Sequence, residues 1–464
     1  MSPYETTETP AERKLTAPLL AGAGMALAAA GTLWAHSIGT LAMKAAMFSA
    51  AAGAVALVLW EPLIGLCLMA FLIPVESVYT FAGGWIAITR IAGVLTFTSL
   101  LFKAQLREGL LRFDGGSKWI LLFAAWIAVS CLWAKEKSPA FVMALTVGQL
   151  ALFWVLLRAM LRSPDELRWV CFYFIGGTAL AILVSALMPK WDLAPRLIYL
   201  TGNPNHLARD IAIGLILLTY YAPAARPTGK ALAVAVGGFL VLGLALTQSR
   251  AGWLATAIPL LIYGIGSRKV TPLIIVFAMG SLALLLFSVQ LLTVHLGVTS
   301  ADVEIRGESI VDPAAIRSSR ADIWRAGIIL GSRHPIVGVG AGSFVESVPE
   351  AIAEMQSYTA MRNIEAHNTF ITAFAELGIV GLILLLGILW QCARFIARQP
   401  YSLEKIVAWS LLVSVLIRMM FGTVCFQKTT WLALGLSQIL AARGTAKTEA
   451  AGGDAAAESG TVEA

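Results

Sequence analysis

Uncharged apolar runs recur along almost the whole chain, and a membrane helix needs about 20 such residues to cross the hydrocarbon core. Hydrophobic residues make up 58% of the 464 positions and charged residues 13%. That charged share is about half of what a water-soluble surface needs. The sequence therefore predicts an all-α, polytopic membrane protein with about 12–14 transmembrane helices. The runs begin near Leu15, Lys44, Pro62, Trp85, Trp119, Pro139, Val170, Ile211, Ala231, Ala251, Val270, Asn368, Ile406 and Thr429.

Charge and cysteine usage exclude several other classes of protein. The net charge of +7 is typical of cytoplasmic loops that face anionic lipid, so it does not indicate nucleic-acid binding. None of the five cysteines forms a C-x-x-C pair, and all lie within or beside apolar runs. We expect them to be small buried hydrophobic residues rather than metal ligands or disulfide partners.

Clusters of lysine and arginine predict the orientation of the chain. They recur in alternate loops, which the positive-inside rule assigns to the cytoplasm together with both termini. The apolar run that starts at Leu15 resembles a signal peptide, but we expect an uncleaved first helix. The predicted segments are a cytoplasmic N-terminus (1–14), a helix bundle (15–295), a long loop on the opposite face (296–366), C-terminal spans (367–443) and a disordered cytoplasmic tail (444–464).

The long loop carries its own helix signals. Asp312 and Pro313 are a good N-cap and first residue for a helix. That helix would carry Arg317, Arg320 and Trp324 on one face. Pro335 and the glycine-rich run that follows it would end this region before a second, amphipathic helix.

Arginines are numerous on the predicted non-cytoplasmic side, where the orientation rule does not favour them. Arg250 is the sharpest case, since it lies between two apolar runs. A guanidinium fork matches phosphate oxygens, so the set favours a lipid ligand that carries phosphate or diphosphate. The alternative is contact with lipid headgroups and salt bridges to Asp302, Glu304 or Asp322. The arginines are Arg196, Arg209, Arg250, Arg306, Arg317, Arg320, Arg325, Arg333 and Arg362.

Two histidines lie where this face meets the membrane. His367 comes where the long loop re-enters an apolar run, and it would serve as a general base or donate to a phosphate oxygen. The alternative is a structural histidine bonded to backbone at a helix start. His206 lies in a turn before a span and would line the same cavity. Asp302 and Glu304 resemble a metal-binding pair but fit a solvated loop better, so we expect no metal and no cofactor.

Several stretches, in order, are similar to a known family. They are Pro204–Ala208, Ser249–Trp253, Arg320–Trp324, Pro335–Phe344, and His367-Asn368 followed after nine residues by Gly378-Ile379-Val380-Gly381. Together they resemble the O-antigen ligase and polymerase superfamily of bacterial inner-membrane glycosyltransferases. The spacing after His367 resembles the ligase signature, and the likeness covers about residues 200–385. Ala341 stands where many relatives have proline.

The resemblance implies an inverting transfer of polysaccharide from undecaprenyl diphosphate to a sugar hydroxyl of lipid A–core, at the periplasmic face of the inner membrane. His367, Arg320 and Arg250 would be catalytic, and the reaction would need no metal. The diphosphate and glycan would be bound by Arg196, Arg317, Asn205, His206 and Asn368. The partners would be the lipid-linked glycan donor, the lipid A–core acceptor and the phospholipid membrane, with no nucleic acid. The chain would be a monomer or a weak homo-oligomer.

Three other functions fit parts of the same pattern. An O-antigen polymerase would use a second lipid-linked glycan as acceptor, and a protein O-oligosaccharyltransferase would use a protein. A transporter or lipid flippase with an arginine-lined path belongs to a different class and would place its ionisable groups near the bilayer midplane. Here they gather at one face and in one loop, which favours chemistry at the membrane surface.

Overall fold

The structure is a computed structural model, which describes residues 53–81, 86–103, 115–187, 204–295, 313–354 and 365–460. These residues are almost entirely helical, including residues 53–60 ahead of the first numbered helix. One short strand, β1 (Thr80–Phe81), pairs antiparallel with another, β2 (Ile86–Ala87). The all-α prediction is confirmed. In chain order the described helices are α1 (Pro62–Leu72), α2 (Ile88–Phe102), α3 (Gly115–Ser130), α4 (Lys137–Met160), α5 (Pro164–Leu187), α6 (Pro204–Tyr221), α7 (Pro227–Thr247), α8 (Arg250–Ser267), α9 (Val270–His295), α10 (Pro313–Arg333), α11 (Phe344–Glu354), α12 (Thr369–Arg398), α13 (Leu403–Phe421) and α14 (Lys428–Gly460).

Five helices in the described ranges are long and apolar enough to cross a membrane: α4, α5, α6, α7 and α12. This confirms a polytopic membrane protein. Shorter apolar helices accompany them, among them α2 and α3. The total of about 12–14 spans stays a prediction, because residues 1–52 and several later stretches lie outside the described chain.

Helix α6 lies at the centre of the bundle and α7 at its edge. In the apolar window of α6, 67% of residues are buried, against 22% in α7. Helix α6 packs against α5, α7, α8 and α13. The exposed side chains of α7 include Leu232 and Val234, which suit contact with lipid tails.

Helix α12 is broken inside its apolar run. At Gly378 the backbone leaves the helical region, with φ 66° and ψ −167°. Residues 335–340, here called the crossing segment, run across this break and replace its lost helical hydrogen bonds. The four bonds run from Val339 N to Ala375 O (2.9 Å), Gly340 N to Glu376 O (2.8 Å), Ile379 N to Pro335 O (2.8 Å) and Val380 N to Ile336 O (3.5 Å).

Side chains complete the pairing around the break. Trp126 of α3 donates its indole N–H to the Leu377 carbonyl at 3.0 Å. The carboxylate of Glu376, which is buried, accepts the backbone N–H of Phe344 at 3.0 Å and so caps the start of α11. The break therefore joins α3, α11 and α12 in one polar cluster within an otherwise apolar bundle.

The loop after α3 is tied to the residues that follow the crossing segment. The Ser130 hydroxyl accepts the backbone N–H of Ala341 at 3.3 Å. Lys135 donates its backbone N–H to the Ser343 hydroxyl at 3.2 Å, and its ammonium pairs with the exposed Glu350 of α11. That pairing lowers the pKa of the Glu350 carboxyl below its ordinary value. These contacts fix the entry to α11.

The helices of the long loop follow the sequence prediction. Helix α10 begins at Pro313 and ends at Arg333, just before Pro335, and the second helix follows the glycine-rich run. Residues 296–312 and 355–364 of this loop lie outside the described chain. At the C-terminus the structure differs from expectation, since α14 continues to Gly460 through a tail that the composition predicts to be disordered. Alanine is abundant there and is the best helix former.

A substitution at the break tests this arrangement. A Cβ at position 378 would lie 2.2 Å from the Ile336 carbonyl oxygen, and the positive φ is unfavourable for any side chain. Gly378→Ala should therefore destabilise the protein by about 1–3 kcal/mol, or more if the crossing segment detaches. Thermal unfolding of the purified protein in detergent measures this.

Gly148→Ala in α4 is the matched control. A Cβ there meets nothing within 4 Å, and the helical backbone accepts alanine readily. We expect this variant to be as stable as the parent or more stable, by about 0.5–1 kcal/mol. Equal stability of the two variants would contradict the role given to Gly378.

Candidate active site

A pocket with an empty volume of about 410 Å3 lies where α6, α8, α12 and α14 begin and α13 ends. It gathers residues from parts of the chain more than 200 positions apart. Its lining residues are Asn205, His206, Arg209, Ser249, Ala251, Gly252, Glu365, His367, Arg418, Phe421, Gly422, Thr423, Val424 and Gln427.

The starts of α6 and α8 form one wall of the pocket. The Ser249 hydroxyl donates to the Asn205 side-chain carbonyl at 2.6 Å and accepts the Gly252 N–H at 3.1 Å, which caps α8. A Cβ at Gly252 would lie 2.5 Å from that of Ala208, so the glycine allows the two helices to touch. Two of the family-like stretches of sequence thus form a single surface.

His367 is held from both sides by its neighbours in the chain. Before it, the Ala366 carbonyl accepts the indole N–H of Trp324 in α10 at 2.9 Å. After it, the Asn368 side chain caps α12 by accepting the N–H groups of Phe370 and Ile371 at 3.0 and 3.1 Å. His367 itself has φ 47°, an uncommon conformation that histidine adopts more readily than most residues. Its backbone is therefore fixed before any ligand binds.

The loop between α13 and α14 closes the pocket beside His367. The Thr369 hydroxyl donates to the Gly422 carbonyl at 2.7 Å and accepts the Val424 N–H at 3.0 Å. The first residue of α12 is thereby bonded to the far wall of the pocket. This contact sets the distance between His367 and the residues of α13.

Glu365 lies beside the imidazole. The Nδ1 atom of His367 is 3.9 Å from a Glu365 carboxylate oxygen, and the imidazole side chain is 38% exposed. A carboxylate next to Nδ1 favours a proton on that nitrogen and leaves Nε2 to accept another. The Glu365 carboxylate therefore lies within electrostatic reach of the imidazole.

The inner side of the pocket is cationic and buried. Arg209 of α6 and Arg418 of α13 are 8% and 2% exposed, and Arg418 donates from Nη1 to the Arg209 carbonyl at 3.3 Å. Asp210 lies next to them, interacts electrostatically with both, and accepts the Thr429 hydroxyl at 2.6 Å. Two guanidinium groups thus face one carboxylate.

Helix ends add to this positive charge. Helices α6, α8, α12 and α14 begin at or next to residues that line the pocket. The first N–H groups of a helix carry partial positive charge and bind anions. Together with the arginines, they make the pocket suited to a negatively charged group.

The sequence model of a family described as O-antigen ligase matches residues 235–386. Those residues are similar to the O-antigen ligase family. No curated protein matches the chain. The family domain runs from α7 into α12 and includes His367, the crossing segment and the break at Gly378. It confirms the resemblance given by the sequence and supports a function within the O-antigen ligase and polymerase group.

Three of the predicted site residues line the pocket together: His367, His206 and Asn205. Arg250 lies between two lining residues, and its own side chain is exposed. Asn368 caps α12 through its carbonyl oxygen, and its role in substrate binding stays a prediction.

Helix α10 carries two of the remaining predicted residues. Arg317 and Arg320 both belong to this helix, with Arg320 one turn before Trp324, the residue bonded beside His367. Arg196 lies outside the described residues. The structure adds Glu365 and Arg418, neither of which the sequence pattern indicates as a site residue.

The contact between α6 and α8 can be tested by a paired substitution. Gly252→Ala places a methyl group against Ala208 and should separate the two helices, at a cost of about 1–3 kcal/mol. Ala208→Gly in the same chain opens the space again and should recover part of that stability. The measurement is thermal unfolding of the parent, both single variants and the double variant. A double variant no more stable than Gly252→Ala would show that the two positions do not meet.

Proposed function

We propose that the protein is an O-antigen ligase that transfers a polysaccharide from undecaprenyl diphosphate to a sugar hydroxyl of lipid A–core. The observation that carries this proposal is the fixed His367, beside Glu365, at the mouth of a cationic pocket at one end of a membrane bundle. The match of residues 235–386 to the O-antigen ligase family supports it.

The reaction requires a base and an anion site, and the pocket offers both. The acceptor hydroxyl gives its proton to Nε2 of His367 as its oxygen attacks the anomeric carbon of the donor sugar. The bond from that carbon to the diphosphate oxygen breaks, and undecaprenyl diphosphate leaves with the electron pair. Direct displacement inverts the anomeric carbon. Glu365 stabilises the imidazolium that forms.

Permanent positive charge takes the role of a metal in this proposal. Arg250 and Arg320 bind the diphosphate as negative charge develops on it, with Arg317 and Arg196 beside them. No divalent cation is needed, because guanidinium groups already supply the electrophilic help. Transfer takes place at the periplasmic face of the inner membrane, where both lipid-anchored substrates are accessible.

The nature of the acceptor distinguishes the ligase from the other transferases. The test uses purified protein, lipid-linked glycan and rough lipopolysaccharide, followed by gel mobility of the product. Glycan attached to lipopolysaccharide supports the ligase. Lengthened lipid-linked glycan without lipopolysaccharide product indicates a polymerase, and glycan on an added protein acceptor indicates a protein O-oligosaccharyltransferase.

His367→Ala should lower the transfer rate by about 100- to 10,000-fold, because it removes the base that accepts the hydroxyl proton. Expression and thermal stability should stay close to those of the parent. His334→Ala is the control, since His334 is exposed and does not line the pocket. Full activity of His367→Ala in the same assay would remove this residue from the mechanism.

Arg250→Lys and Arg320→Lys keep the charge but lose the planar fork, so each should slow transfer by about tenfold or more. Arg325→Lys, at an exposed position of α10, should transfer at the parent rate. Initial rates at saturating acceptor measure the effect. If the lysine variants at 250 and 320 matched the parent, long-range charge alone would suffice and bidentate contact would be excluded.

A further inference from the structure

Arg418 is a lone charge in the last turn of α13, within a helix that is otherwise apolar over its second half. Its side chain is 2% exposed, although it lines the pocket. Charged side chains at membrane depth are costly and face a cavity or a partner. The position therefore requires a physical explanation.

The guanidinium group is only partly paired. Nη1 donates to the Arg209 carbonyl at 3.3 Å, while Nε and Nη2 have no hydrogen-bond partner among the described residues. Leaving buried donors of a charged group unpaired destabilises a protein. A purely structural arginine would be expected to have these two positions filled.

The surrounding charges leave a place for an anion. Arg209, His206 and His367 lie on the same pocket, with Glu365 at its mouth. Asp210 is a buried carboxylate that interacts electrostatically with both arginines, and it already accepts the Thr429 hydroxyl. At the buried inner side of the pocket one carboxylate faces two guanidinium groups, so this part of the pocket attracts a further negative charge.

We propose that Arg418 is a phosphate-binding residue, whose Nε and Nη2 take two oxygens of the donor's diphosphate inside the pocket. This deepens the proposed function and rests on it for the identity of the donor. The adjacent Nε–H and Nη2–H form the fork that matches phosphate bidentately. Both atoms are buried, so a phosphate reaches them after a small shift of the pocket lining.

A phosphate-binding role for Arg418 predicts opposite effects of its removal on phosphate affinity and on thermal stability. Arg418→Met replaces the guanidinium with a shorter, unbranched apolar side chain and removes the unpaired charge. The variant should unfold at the temperature of the parent or above it, while it loses affinity for phosphate. A structural arginine would give the opposite result, with a lower unfolding temperature.

The probe is inorganic diphosphate, titrated into the purified full-length protein in detergent by calorimetry. Arg418→Met should raise the dissociation constant at least about tenfold, the effect of losing a charge-assisted bidentate contact. Arg418→Lys should fall between this variant and the parent, because it keeps the charge without the fork. Diphosphate should raise the unfolding temperature of the parent and not that of Arg418→Met.

Arg394→Met is the matched control. Arg394 is exposed on α12, 25 residues after the start of that helix beside His367. The Arg394→Met substitution removes the same charge at the opposite end of the bundle, so the affinity for diphosphate should not change. A parent protein that binds no diphosphate, or an Arg418→Met variant that binds it as tightly as the parent, would overturn the inference.

The transfer assay distinguishes this inference from the proposed function. With donor and acceptor varied separately, Arg418→Lys should raise KM for the donor and leave KM for the acceptor unchanged. A rise in KM for the acceptor alone would show that the phosphate belongs to the acceptor, against the assignment. Diphosphate binding that depends on Arg418, in a parent protein that transfers no glycan, would preserve the anion site and reject the ligase function.

Discussion

The backbone pairing between the crossing segment and the broken helix α12 is the constraint on which the site depends. An apolar environment requires every backbone N–H and C=O to be paired within the protein. Gly378 breaks α12, and four bonds from residues 335–340 repair it. Since His367 lies eleven residues before Gly378 and α11 starts four residues after the crossing segment, the break sets the position of both.

The pocket combines two parts of the chain with different contributions. The family domain supplies His367, Glu365 and the wall at Ser249 and Gly252. Residues on either side of it in sequence supply the start of α6 and the end of α13, and with them the buried arginines. His367, held on a short, fixed segment, thus faces a cationic interior. Under the proposed function, the proton and the diphosphate would leave toward these two different parts of the pocket.

The sequence predicted the helical class and the meeting of His367, His206 and Asn205, because the membrane requires helices and motifs at span ends share one face. It did not indicate Arg418. The apolar run from Ile406 to Ile417 stops just before this arginine, which therefore looks like a charge at the end of a span. Its burial comes from the tertiary packing of α13 against its neighbours, including the bond to the Arg209 carbonyl of α6. The break at Gly378 was equally hidden, since a positive φ depends on the partner segment.

The bonds on both sides of Gly378 also restrict how the site can open. The crossing segment connects α10 to α11 and is bonded to α12 before and after the break. Swinging this region outward as a lid would leave several buried backbone groups unpaired, at about 1–3 kcal/mol each. Helices α10 and α11 therefore form a fixed wall. Under the proposed function, the lipid-linked substrates would reach His367 by moving along that wall, without lifting it.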